Sequence, residues 1–265
     1  MIGEPRWITA RDAAIQSLPH PLHLFEWITR SRHYHLGRFE RADASLHAAL
    51  DLQARSGLPA LYRGGKVLDV GCGLGGTTRI LGEAGFDAMG VDPSAAGLDY
   101  ARIAAPGVRF VTASLETFAR LTHVRFDGVV LNEVLQHFPS LPRVFALLRP
   151  LLRPGGWVAV QDVATIPALP RSAVPYHRRG ALARAAAEEG FALDEHEELG
   201  DLVSPTFAAL TREIEERRAE LVRDFLPRRP TIEDEIDELL VTLRHLENGF
   251  RNGDLVYERM LLCRS

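Results

Sequence analysis

The stretch Lys66–Thr78, KVLDVGCGLGGTT, decides how the rest of the chain is read. A short apolar run ends in Asp69 and is followed by Gly71, Gly73, Gly75 and Gly76. Glycines this dense after a β-like run indicate backbone passing close to a ligand, because a Cβ there would collide with it or forbid the required φ values. The expected ligand is nucleotide-like. Gly71, Gly73 and Gly76 also satisfy the G-x-G-x-x-G spacing of dinucleotide sites, so the glycines alone leave two ligand classes open. Asp69 discriminates between them: a carboxylate at the end of the strand repels a pyrophosphate and attracts a ligand that carries positive charge.

The pattern D-x-G-x-G-x-G resembles that of the S-adenosylmethionine-dependent methyltransferases of the Rossmann-like class, whose cofactor carries an ammonium and a sulfonium. Downstream runs fall at βα spacing. Asp87–Asp92, DAMGVD, reads as a second strand, with Asp92 about 20 residues past the glycines, where an acid accepts both ribose hydroxyls. Val108–Ala113 reads as a third strand. Phe126–Glu133, FDGVVLNE, is a near-continuous apolar run of the kind covered on both faces. LRPGGWVAVQD reads as a helix end, a turn and another strand, and is also typical of the family. The resemblance covers residues 64–191. It implies an α/β fold with a doubly wound, seven-stranded, mostly parallel sheet and S-adenosylmethionine as cofactor. It implies Gly71, Gly73 and Gly75 gripping the cofactor, Asp69 near its ammonium, and Asp92 with Pro93 at the ribose. It further implies Ser114 and Leu115 bordering the adenine, Ser114 standing where the family usually has Asp, and Asn132 lining the site.

Length and composition fit this reading. A chain of 265 residues with 46% hydrophobic content can bury a full α/β core. A formal net charge of −4 argues against a nucleic-acid surface. The N-terminus lacks the basic-then-apolar pattern of a leader and no stretch reaches membrane-span length, so a cytoplasmic enzyme is expected. Cys72 and Cys263 are too few for a disulfide framework.

Two segments exceed the minimal fold, dividing the chain into an N-terminal helical segment (1–63), the cofactor-binding core (64–200), a helical cap (201–254) and the last core strand (255–265). In the cap, Phe207, Leu210, Ile214, Leu221 and Phe225 repeat at helical spacing. After a break at Pro227–Pro230, Thr231 opens a second helix with acids in its first turn. Small-molecule methyltransferases of this class often close their site with such segments, which implies a lid that excludes water. The alternative is ordinary amphipathic packing or a homodimer interface.

Methyl transfer needs mainly in-line positioning, because the sulfonium is already activated. A hydroxyl or protonated amine must also lose a proton, and Glu133 and His137 are the candidate bases, at the end of the fourth strand where strand order reverses. Their i,i+4 spacing brings them together if Glu133 opens a helical turn. For an alkene acceptor, Glu133 would stabilise a carbocation. The alternative is that Glu133 hydrogen-bonds loop backbone and His137 packs locally. Tyr34 and His35, in SRHYHLG, resemble lid residues of related enzymes. His33 and His35 point apart on a helix and have no third partner, so no metal is expected. Arg171, His177, Arg178 and Arg179 could meet an anionic acceptor, or form a solvated helix start. The expected function is methylation of O, N or C of a small, partly apolar metabolite. The alternatives are other uses of the sulfonium, a non-catalytic cofactor-binding subunit, and nicotinamide-dependent reduction, which Asp69 disfavours. Acceptor identity is not legible.

Overall fold

A computed structural model describes residues 20–59, 64–166 and 176–265. Helices α1 (His20–Thr29) and α2 (Leu46–Ser56) precede a sheet built from β1 (Lys66–Val70), β2 (Asp87–Asp92), β3 (Arg109–Thr112), β4 (Phe126–Asn132), β5 (Leu152–Thr165), β6 (His177–Arg178), β7 (Phe191–Glu198) and β8 (Leu255–Arg264). Its order is β3-β2-β1-β4-β5-β8-β7, with β6 paired to β5. The seven expected strands form this path, and the two-residue β6 is an eighth that the sequence did not signal. All pairings are parallel except those of β8 with β5 and β7.

Crossover helices α3 (Gly76–Glu83), α4 (Ala95–Ala104), α5 (Leu115–Leu121), α6 (Leu141–Leu151) and α7 (Ala181–Glu188) cover the sheet. This is why the central strands read as unbroken apolar runs: alternate side chains serve opposite cores. Leu68 and Leu131 pack in one, while Val67 and Val130 pack with Trp157 in the other. Strand order reverses between β1 and β4, and their carboxyl ends open the crevice in which such folds bind ligands.

Between β7 and β8 lie α8 (Gly200–Val203), α9 (Pro205–Glu216), α10 (Arg218–Phe225) and α11 (Ile232–Arg251). The helical stripes read from the sequence meet in a separate apolar core that also takes Leu24 and Ile28 of α1 and Leu50 of α2. Burying each such side chain contributes roughly 1.5–3 kcal/mol, so the N-terminal helices and the insertion hold each other in place. Arg217 stacks over Trp27 at 4.1 Å, and the Trp27 indole donates to Asp224. Thr231 donates its hydroxyl to Glu235 instead of capping the backbone of α11. Among the described residues no helix is long and apolar enough to cross a membrane.

Candidate active site

The glycine loop divides its labour. Gly71 and Gly75 have φ values of 71° and 78°, in the region that disfavours side chains. A Cβ on Gly71 would lie 2.2 Å from a Val134 methyl, and one on Gly75 would lie 2.9 Å from Ala101 and Phe110. A Cβ on Gly76 would meet His33 and the Arg32 carbonyl. These three glycines therefore let the protein approach itself. Only at Gly73 does the missing Cβ face open space. The space is a cavity of about 520 Å³, and Gly75, assigned to it from the sequence, is not on its wall.

Asp69, Gly71 and Gly73 line this cavity at the end of β1. Asp69 is buried and accepts the Thr78 hydroxyl at 2.6 Å; burial pushes its carboxyl up to about 7. Asp92 and Pro93 follow β2 on the wall, Asp92 being held by the Gly73 N–H at 3.0 Å and the Ser94 N–H at 2.8 Å. Ser114 and Leu115 stand after β3, where Ser114 caps α5 by accepting the Thr117 N–H. Asn132 donates to Thr77, while its Oδ1 has no hydrogen-bond partner among the described residues. Two acids, an unpartnered acceptor and an open glycine fit a cationic nucleoside.

A second cavity, of about 670 Å³, lies beneath the helical insertion between Leu24, Phe25 and Ile28 of α1, Leu210 and Ile214 of α9, and Leu243 of α11. Tyr34, His35, Glu133 and His137 line both cavities. The junction thus gathers the four residues that the sequence singled out as bases and lid.

Glu133 does not open a helical turn. Its φ is +48°, an uncommon value for glutamate, and its N–H donates to the Gln161 carbonyl at 2.8 Å. Its Oε1 accepts the Leu36 N–H at 2.7 Å and the Tyr257 hydroxyl at 2.9 Å. Burial pushes its carboxyl up to about 8, the hydrogen bond from Leu36 opposing this and the Asp162 charge adding to it. A short 3₁₀ turn, Leu135–His137, carries the exposed His137. Buried Asp162 accepts the Leu135 N–H at 2.9 Å, and His177 holds the Leu135 carbonyl from β6. Tyr34 meets Phe25 edge-on with ring centroids 4.8 Å apart.

Of the arginine-rich segment, Arg179 pairs with Glu198 and His177 with Leu135, and neither lines the cavities. Arg171 lies outside the described residues. Tyr257 and Asp162 went unmarked in the sequence, because each sits in an apolar strand with nothing local to flag it. A buried acid inside the run WVAVQDV was the available signal for Asp162.

A family model described as a methyltransferase domain matches residues 34–196. The ubiquinone biosynthesis O-methyltransferase of Thiobacillus denitrificans is 36% identical over 99 residues, which cover 36% of this chain and 43% of that protein. The trans-aconitate 2-methyltransferase of Azoarcus sp. is 39% identical over 122 residues, covering 45% and 46%. The chain thus spans less than half the length of these relatives. The cyclopropane synthase MmaA2 from Mycobacterium tuberculosis superposes with a TM-score of 0.79 at 18% identity, over 96% of this chain and 97% of that one, and so shares the fold. The matched domain, together with the loop and the reversed sheet, places the chain in the methyltransferase-domain family, among the class I, Rossmann-like S-adenosylmethionine-dependent methyltransferases.

Proposed function

We propose that the chain transfers a methyl group from S-adenosylmethionine to a small, partly apolar acceptor. The observation that carries this reading is the meeting of the cavity at the glycine loop, which presents Asp69, Asp92 and Asn132, with the cavity under the helices, through Tyr34, His35, Glu133 and His137. When bound, the cofactor supplies a methyl group already activated on a sulfonium.

In this reading Asp92 orients the ribose hydroxyls, Asn132 Oδ1 and Asp69 receive the ammonium end, and Ser114 and Leu115 border the base. The aliphatic side chains of α1, α9 and α11 desolvate the acceptor's apolar body and aim its reactive end at the junction. The segment 31–37 acts as the lid, fastened to the core where the Leu36 N–H meets Glu133.

The test is product analysis. The protein is incubated with methyl-labelled S-adenosylmethionine and a metabolite extract, and S-adenosylhomocysteine is followed with any labelled product heavier by one methylene. Matched formation of the two is expected. Release of methylthioadenosine, or binding without turnover, would overturn the reading.

A further inference from the structure

The cavity beneath the insertion follows one face of α11, from Glu235 through Leu239 and Leu243 to Leu246. These positions lie three or four residues apart and so share a face. Between Glu235 and Leu246 the helix rises about 16 Å, which makes the cavity a slot. Its direction follows from what packs at each end. Leu246, Leu36 and Tyr176 pack against one buried cluster that contains Tyr257, and Leu36 and Tyr257 are the two residues that hold Glu133. The Leu246 end therefore lies at the junction of the two cavities. The other end lies at the start of α11, where Arg229 faces Glu235 at 3.8 Å. Between the ends the wall is hydrocarbon, supplied by Ile28 of α1, Leu210 and Ile214 of α9, and Leu239 and Leu243 of α11. Thr242 beside them spends its hydroxyl on the Glu238 carbonyl.

Building on the proposed methyl transfer, we infer that the acceptor is an amphiphile with a thin, extended apolar chain, whose reactive polar end sits at the junction and whose chain runs along α11 toward Arg229 and Glu235. An extended chain advances about 1.2 Å per bond, so roughly a dozen bonds fill the slot. Leu239 and Leu243 thereby act as specificity-determining residues that read the length of the chain.

The arrangement of the walls selects this shape and direction. Hydrocarbon gains in proportion to the apolar area it removes from water, so each methylene laid between Leu246 and Leu239 adds affinity. Past Glu235 a longer chain meets an ion pair, which gains nothing from losing water to hydrocarbon. A compact polar acceptor would leave the stretch at Leu239 and Leu243 unfilled. A chain lying the other way would hold its reactive end beside Arg229, about 16 Å from the junction.

The test is equilibrium dialysis of radiolabelled n-alkan-1-ols, from butanol to tetradecanol, against the protein saturated with S-adenosylhomocysteine. Affinity should rise about four-fold per methylene. The rise should level off at about twelve carbons. Leu239 is half-buried, lines the slot and stands about 10 Å along α11 from Leu246. In Leu239→Trp, whose ring blocks the slot there, the levelling should move to about eight carbons. Butanol should bind this variant within about two-fold of the parent, because the junction is untouched. Thr242→Trp, at an exposed position on the same wall, should level at about five carbons and keeps the test decisive if Leu239→Trp does not fold. Affinity independent of chain length, or parental levelling in the folded variants, would overturn the inference. Loss of the shortest alcohols from Leu239→Trp would also overturn it, by placing the hydroxyl at the Arg229 end. Failure of the parent to bind S-adenosylhomocysteine would instead sink the methyl-transfer reading.

Discussion

The Tyr257 hydroxyl donates to Glu133 Oε1 over 2.9 Å, tying the last strand to the turn that separates the two cavities. The same oxygen accepts the Leu36 N–H, so one carboxyl joins three distant parts of the chain. Tyr257→Phe removes one donor and leaves the other. A loss of about 1 kcal/mol in urea unfolding is expected. Full parental stability would show that the bond contributes nothing.

Buried acids make stability depend on pH. Burial raises Glu133 to about 8 and Asp162 and Asp69 to about 7, from ordinary values of 4.5, 3.8 and 3.8. At these three sites the folded state keeps protons that the unfolded chain releases above about pH 4, so the stability they contribute is full at low pH and is lost as pH rises through 7 and 8, while His33 and His35, lowered by burial, act in the opposite direction on the acid side. Each group contributes a slope of up to about 1.4 kcal/mol per pH unit within its window. Denaturant titrations should give a larger unfolding free energy near pH 5.5 than near pH 8. Glu133→Gln, which mimics the protonated carboxyl, should flatten part of that decline; an unchanged slope would place the Glu133 carboxyl at its ordinary value.

The glycines separate by effect. Gly75→Ala puts a methyl 2.9 Å from Ala101 and Phe110 at a φ of 78°, so thermal unfolding should drop sharply. Gly73→Ala meets no neighbour, and its fold should lose only the about 1–2 kcal/mol cost of a left-handed residue. Its loss should appear in calorimetric affinity for S-adenosylhomocysteine. Equal affinity in Gly73→Ala and parent would remove Gly73 from the ligand surface.

Asp69 should report cofactor charge through protons. A cationic ligand beside it lowers its pKa from about 7, so binding near pH 6 releases part of a proton. Calorimetry in buffers of different ionisation enthalpy measures this directly. Asp69→Asn should abolish the release, and a parental value in that variant would assign the proton to another group.

Much of this was legible in the sequence because it is local. Asp69, the glycine loop and Asp92 sit within one βαβ unit, and helical spacing identified Phe207 to Phe225 as an apolar stripe. Periodicity could not show that this stripe meets α1 and α2, since the contact spans most of the chain. The spacing of Glu133 and His137 suggested a helical turn, but the Gln161 carbonyl and buried Asp162 hold this backbone in another conformation. Density of glycine did not show that three of the four also make room for the protein itself: Val134, Ala101 and His33 lie where a Cβ on Gly71, Gly75 or Gly76 would point, and only tertiary structure reveals that. His33 and Arg32 reach Gly76 through folding of a segment more than forty positions upstream.

The central claim is that S-adenosylmethionine binds at the glycine loop with its ribose on Asp92. Titration of S-adenosylmethionine into the parent protein and Asp92→Ala tests it most directly. One site is expected, weakened in the variant by about 1.5–3 kcal/mol through loss of a charged hydrogen bond. Equal affinity in both proteins, or no binding by the parent, would contradict it.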